Sequence, residues 1–471
     1  MVTRTKTDIS LLAHLYRRAG FGATRSQLEQ LATRPYEEIV EDLVNPERMP
    51  EPDDELIRRF YPHLAANKDN PGVWNGRWFY RMINSERQLE EKMTLFWHHL
   101  FATGWTKSEH TPTMVDHIQM LRSNCLGKFA TLLIELSRDP AMIYWLDNCE
   151  NHGYSINENY GREILELFSM GIGNYTEDDI KNAARAFTGW SFKQPLPLYP
   201  FGHYESAFQY IPEDHDDGEK TFLGHTGNFN GEDIVNIIVK QEATARFVSR
   251  HLYNFFVGDE PQVPAWSIQP PNDPAAIQVL VDAFMDSEGD MRHVMRTLFN
   301  SDFFKKARYT HIKSPTEFVA STLKLAGAFR DPDPGLADLE GTITAMGQKL
   351  MDPPSVEGWH TGKEWIDGGT LTERVNYAVE VFSDASKPGV ANIIGRIRGD
   401  GSPVSPDMFV DTAVDLMGPV NVTDVTRQSL TDTAAEEGNL KFGNSKESAE
   451  SERRIVRMLQ LIVASREFQF A

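Results

Sequence analysis

The sequence predicts a mostly α-helical bundle into which a long ordered loop or small β-hairpin is inserted. Apolar residues recur at helical spacing over most of the chain, and capping patterns stand ahead of some of these stretches. One internal segment, 191–233, loses the helical period and gains prolines and aromatics instead. At 471 residues the chain is long enough to bury a large core.

The elements follow in chain order. Leu11, Leu12, Leu15 and Tyr16 form one face of a first helix that ends at Gly20, with Arg17 and Arg18 solvated or paired with carboxylates. Thr24 with Gln27 is a capping-box pattern, followed by Leu28, Leu31, Ile39 and Leu43 on either side of Pro35. The best periodic signal is Gln88 to Phe101, with Leu89, Met93, Phe96 and Leu100 on one stripe, and two further helices span Met114 to Leu121 and Phe129 to Leu136. Gly171 and Gly173 read as a helix stop before Thr176, which caps the next helix.

In 191–233, Pro195, Pro197, Pro200 and Pro212 accompany two β-like runs, Phe208 to Ile211 and Lys220 to Leu223, which flank a polar turn and suggest a hairpin with each other. Helical spacing resumes from Ile234 to Phe256, Ile277 to Phe284 and Val294 to Phe304, with 261–274 as a proline-rich loop. The stretch 389–444 is poor in large apolar residues and reads as partly mobile, and Ile455 to Phe468 closes the chain as an amphipathic helix. The expected organisation is an N-terminal helical region 1–190, the insertion 191–233, a second helical region 234–388 and a segment 389–471, all compatible with one domain.

With 68 acidic and 47 basic residues the formal charge is −21, which argues against nucleic acid and anionic membranes as partners. No window approaches the roughly eighteen consecutive apolar residues of a membrane span. Two cysteines, Cys125 and Cys149, exclude a disulfide framework, a zinc ribbon and a c-type haem. The Arg17-Arg18 pair is followed by a polar stretch with no apolar segment of a twin-arginine signal, so a cytoplasmic location is expected.

The residues that carry chemistry cluster after Asn157. At about 100° per residue, a helix from there places Tyr160, Ile164, Leu165, Leu167 and Phe168 on one side and Asn159, Arg162, Glu163, Glu166 and Met170 on the other. Glu163 and Glu166 are then neighbouring carboxylates, able to bind a hard cation or to split into general acid and base. Arg162 lies four residues from both Glu158 and Glu166, so an ion-pair ladder is the competing structural reading. His98 and His99 point about 100° apart and cannot both serve one ion, while Glu91 sits two turns before His98 on the same face. His215 and Asp216 stand on a polar turn that can supply ligands or simply shape the loop. Trp190, Trp359 and Trp365, each near a glycine, either line a groove or pack against the bundle.

The run Asn157-Glu158-Asn159-Tyr160-Gly161-Arg162-Glu163-Ile164-Leu165-Glu166-Leu167, continuing through Gly171 to Asp179 and Ala184 to Trp190 with Arg185 inside it, resembles the signature of a bacterial family catalogued as domain of unknown function 1800 (DUF1800). Arg17 to Gly22, Phe96-Trp97-His98, His215-Asp216, Lys220 to Gly224, Met346-Gly347-Gln348, Pro353-Pro354 and Gly358-Trp359 extend the likeness over nearly the whole chain. It departs where the family pattern carries a further histidine and this chain has Leu100. The resemblance implies a mostly helical fold, no settled activity, and exported members.

Together these readings lead to two expectations. The first is a hydrolase assisted by a divalent metal, with Glu163 or Glu166 as general base, Arg162 orienting it, and His98, His215 and Asp216 holding the ion. The second is a non-catalytic scaffold or binding protein for a partner protein or polymer. The insertion is expected to cover the helix bearing Glu163. Pairing of both glutamates with cations, away from any cleft, is the arrangement that favours the scaffold.

Overall fold

A computed structural model describes residues 7–53, 55–60, 70–193 and 206–471. Within them stand twenty-four α-helices and four short strands. The helices stand where the apolar period places them, among them Ile9–Arg18, Arg25–Leu31, Gln88–Leu100, Thr111–Asn124, Phe129–Arg138 and Glu242–Phe256. Both caps form as read: Thr24 and Gln27 satisfy each other's backbone N–H groups, and Thr176 with Asp179 heads the helix Glu177–Ala186.

The insertion is ordered at both expected β-runs, but the partners differ from the expected hairpin. Ala207–Tyr210 pairs antiparallel with Trp190–Lys193, and Lys220–Phe222 pairs with His225–Gly227. Leu223 and Gly224 both take positive φ, the turn that closes a two-residue hairpin, and this makes His225 onward the natural partner. Pro212 opens a 3₁₀ turn through Asp214, so the two expected runs have no hairpin turn between them. Pro195, Pro197 and Pro200 lie outside the described residues.

Residues 389–444 carry more helix than their low content of large apolar residues suggests. They contribute to Pro388–Arg398 and hold Pro406–Leu416 and Asp424–Glu436. The first helix buries Val390, Ile393, Ile394 and Ile397, and the second Phe409, Val410, Ala413 and Leu416. A peripheral helix needs only one such stripe, so low overall hydrophobicity does not prevent it from docking. The last helix begins at Ser445, earlier than the expected Ile455, and ends at Ala464.

One apolar cluster runs through the molecule from Leu12 to Phe468, with a small satellite of Ile312, Trp359 and Trp365. Charged side chains are sealed inside it. Lys92 pairs with Glu317, and both are buried. The twin arginines are neither solvated nor paired with carboxylates as expected. Arg18 is fully buried, with Nε donating to Phe256 O at 3.0 Å and Nη2 to Phe255 O, and Arg17 Nη1 donates to Gly418 O at 2.6 Å. Helix ends leave carbonyls without partners, and these two guanidinium groups fill that role. Among the described residues no helix is long and apolar enough to cross a membrane.

Candidate active site

The helix Asn159–Glu166 is positioned by the asparagines before it. Asn157 Oδ1 accepts from Asn159 N at 3.0 Å, Asn159 Nδ2 donates to Leu146 O at 3.0 Å, and Asn157 N donates to Asn151 Oδ1 at 3.0 Å. Tyr160 Oη donates to the buried Ser137 Oγ at 2.6 Å. At Gly161 a Cβ would meet Ala184 N at 2.8 Å and Ile180 O at 2.9 Å, so the absent side chain lets the helix Glu177–Ala186 pack directly against this one. The polar face is shorter than the expected run to Met170. The helix ends at Glu166, Gly171 turns the chain at positive φ, and Met170 falls into the core because the helical phase no longer applies to it.

Arg162 does not orient the carboxylates beside it. Its Nη1 and Nη2 donate to Glu177 at 3.2 and 2.9 Å, and Glu158 lies 3.7 Å away. Glu166 Oε2 instead accepts from Tyr175 Oη at 2.9 Å. Among the described residues the half-buried Glu163 carboxylate forms no hydrogen bond and no ion pair. Burial first, then the charge of Glu166, push its carboxyl up to about 7 against the lowering effect of Arg162.

This shift has a measurable consequence. From the ordinary value of 4.5 up to about 7, the folded chain keeps a proton at Glu163 that the unfolded chain has lost, so this group makes stability fall as pH rises through that window. Glu163→Gln is expected to melt above the wild type at pH 8 and together with it at pH 4. A variant that melts lower at pH 8 would mean that the carboxylate is held by a cation after all.

Glu166 opens into a cleft of about 720 Å³. Its wall includes His99, Phe247, His251, Trp266 and Glu357. His251 packs between Phe247 at 4.4 Å and Trp266 at 4.5 Å between ring centroids, and Trp266 is backed by Arg250 at 4.4 Å. Burial pushes His99 down to about 4 and His251 well below its ordinary value, so both imidazoles are neutral at physiological pH. His251 Nε2 is buried and has no hydrogen-bond partner among the described residues. The cations lining the cleft are engaged elsewhere. Arg246 pairs with Glu242, and Arg250 with Glu260 at 2.8 Å. Among the described residues neither Glu166 nor Glu357 forms an ion pair with these arginines.

Sequence reasoning passed over His251, Trp266 and Glu357. Phe247 and His251, four residues apart on one helix, were a usable signal, but the proline-rich loop carrying Trp266 showed no sign of folding back over them.

The expected metal ligands are not brought together. His98 lies in the core, where Nε2 accepts from Met351 N at 3.0 Å, and its ring neighbours are Trp78, His117 and Trp359. Its partner on the same face, Glu91, is buried and accepts from Trp78 Nε1, Arg81 Nε and Arg122 Nε. His215 Nδ1 is 2.9 Å from Thr188 O. Asp216 is gripped by Arg185 at 2.7 and 3.1 Å, which holds its carboxyl below the usual range. Lys220 is buried and donates to Asp216 O and Gly218 O, so this turn is a clasp on the helix Glu177–Ala186. Trp190, Trp359 and Trp365 are buried against the bundle. Among the described residues no three His, Cys, Asp or Glu side chains are grouped to hold a metal ion.

A family model described as "Protein of unknown function (DUF1800)" matches residues 14–470. No curated protein and no solved structure matches the chain.

Proposed function

Given that the chain belongs to the DUF1800 family of unknown function, we propose that it is a hydrolase working by general acid–base catalysis in the cleft at Glu166. The observation that carries this reading is a pair of adjacent carboxyl groups with unequal environments, one opening on a cleft and the other holding a proton near neutrality. Glu166, steadied by Tyr175, accepts a proton from a water attacking the substrate and returns it to the leaving group's oxygen as the bond to that group breaks. Glu163 keeps its own proton and spares the site two adjacent full charges. Neutral His99 and His251 each supply one N–H and one lone pair for orienting the substrate. With Glu166 and Glu357 lacking cation partners among the described residues, the cleft suits a neutral or cationic substrate better than an anionic one.

The test is release of p-nitrophenol from a panel of p-nitrophenyl esters and glycosides. Glu166→Gln is expected to lower kcat/KM by about 10²–10⁴ while leaving the melting temperature within the scatter of surface changes. Equal rates in wild type and variant overturn the assignment.

A second reading, capture of a polymer or partner protein without chemistry, is favoured by two exposed isoleucines on the same cleft. Ile172 is 54% and Ile268 82% exposed, beside Trp266. Under that reading Glu166→Gln leaves ligand affinity unchanged, while Trp266→Ala abolishes it.

A further inference from the structure

The Arg17 to Gly22 motif takes no part in the cleft, and it borders a second, smaller cavity of about 40 Å³. Three cations line this cavity, Arg17, Lys313 and Lys324, against one carboxylate, Glu467. Arg17 stacks on Tyr309 at 4.6 Å and gives Nη1 to Gly418 O, but its buried Nε and Nη2 have no hydrogen-bond partner among the described residues. Lys313 Nζ donates to Phe468 O at 2.9 Å and Lys324 Nζ to Gln88 Oε1 at 2.6 Å. Each ammonium has three donors, so both retain unused ones. Both acceptors are neutral, and neither lysine forms an ion pair with a carboxylate among the described residues.

Glu467 does not neutralise the group. Its Oε1 accepts from Thr423 N, Thr423 Oγ1 and Thr426 Oγ1, and its buried Oε2 has no hydrogen-bond partner among the described residues. Buried cations without a counter-charge are costly. Burial brings both lysines down to about 7, with repulsion from Arg17 adding at Lys313. A single water needs roughly 10–15 Å³, so this space holds several waters or one small group but not a larger ligand.

We propose that this cavity is an anion site that takes one small oxyanion, a free phosphate or the phosphate end of a small organic molecule, held by Arg17, Lys313 and Lys324. The site is independent of the acid–base reading of the cleft. The planar guanidinium presents Nε and Nη2 as a fork for two oxygens, and the lysines bring point charges to the others.

Isothermal titration at pH 7 with inorganic phosphate and, separately, phenyl phosphate, at ionic strength held constant with sodium chloride, tests the proposal. Saturable binding of phosphate is expected. Comparable binding of phenyl phosphate identifies the end of an organic ligand, and binding of inorganic phosphate alone identifies the free ion. Lys324→Met strands no carboxylate, and Gln88 Oε1 still receives Phe21 N, so the variant should fold. It is expected to weaken phosphate binding by about tenfold or more, and Glu467→Gln to strengthen it by removing the opposing charge. Lys313→Met provides a second variant with the same expected loss. No saturable binding of either probe by the wild type, or unchanged affinity in both lysine variants, overturns the proposal.

Discussion

Replacing Glu317 by glutamine is expected to cost about 3–5 kcal/mol of folding stability, read as a lower urea midpoint at neutral pH. Glu317 is buried and serves two roles at once. Its Oε2 accepts from Ser314 N at 2.8 Å and completes the capping box of the helix Pro315–Ala326, and its Oε1 pairs with Lys92. Burial alone would push this carboxyl up, but the Lys92 ammonium, with His311 and Arg18, overrides it and holds the group well below its ordinary value. An amide can still accept from Ser314 N, but it leaves the fully buried Lys92 without its carboxylate. Because the folded value is depressed, the contribution of Glu317 is present above the ordinary 4.5 and is lost as the pH falls through the folded value. The variant should therefore lose less stability than the wild type as the pH falls from 4.5 down through the folded value. A neutral-pH loss under about 1 kcal/mol would show that the network stabilises no more than a surface ion pair does.

Gly358→Ala is expected to cost about 2–4 kcal/mol, because two penalties add there. Gly358 takes φ +81, where a side chain is strained, and a Cβ would stand 2.5 Å from His99 O. That carbonyl belongs to the last turn of the helix Gln88–Leu100, so relief requires moving the backbone that aims His99 into the cleft. Thermal unfolding measures the cost. An alanine variant that melts with the wild type would mean that this turn yields without effort.

Parts of the site were legible in the sequence and parts were not. The adjacency of Glu163 and Glu166 follows from helical spacing, and so does the divergence of His98 and His99, which the structure realises as one ring in the core and the other on the cleft. The choice of partner does not follow from spacing. Arg162 lies within reach of Glu158 and Glu166 on its own helix, yet the guanidinium turns to Glu177 on the next one, and this frees Glu166 for Tyr175 and the cleft. His215 and Asp216 looked available for a metal because loops expose their side chains, but Thr188 and Arg185 occupy them.

The sequence by itself determined the helical class, the two capping boxes, the position of the insertion and the polar face after Asn157. Each of these depends on groups within about four residues of one another, where hydrogen-bond geometry and apolar period leave a direct trace. Only the tertiary structure decided which strands pair, that the stretch 389–444 docks as helices, that the twin arginines cap distant carbonyls while Arg17 borders a cavity, and that a proline-rich loop lines a cleft beside His251. Those outcomes join residues far apart along the chain, such as Arg17 with Gly418 and Glu166 with Trp266. Their energy comes from burial and from charge compensation between elements, and neither leaves a period in the local sequence.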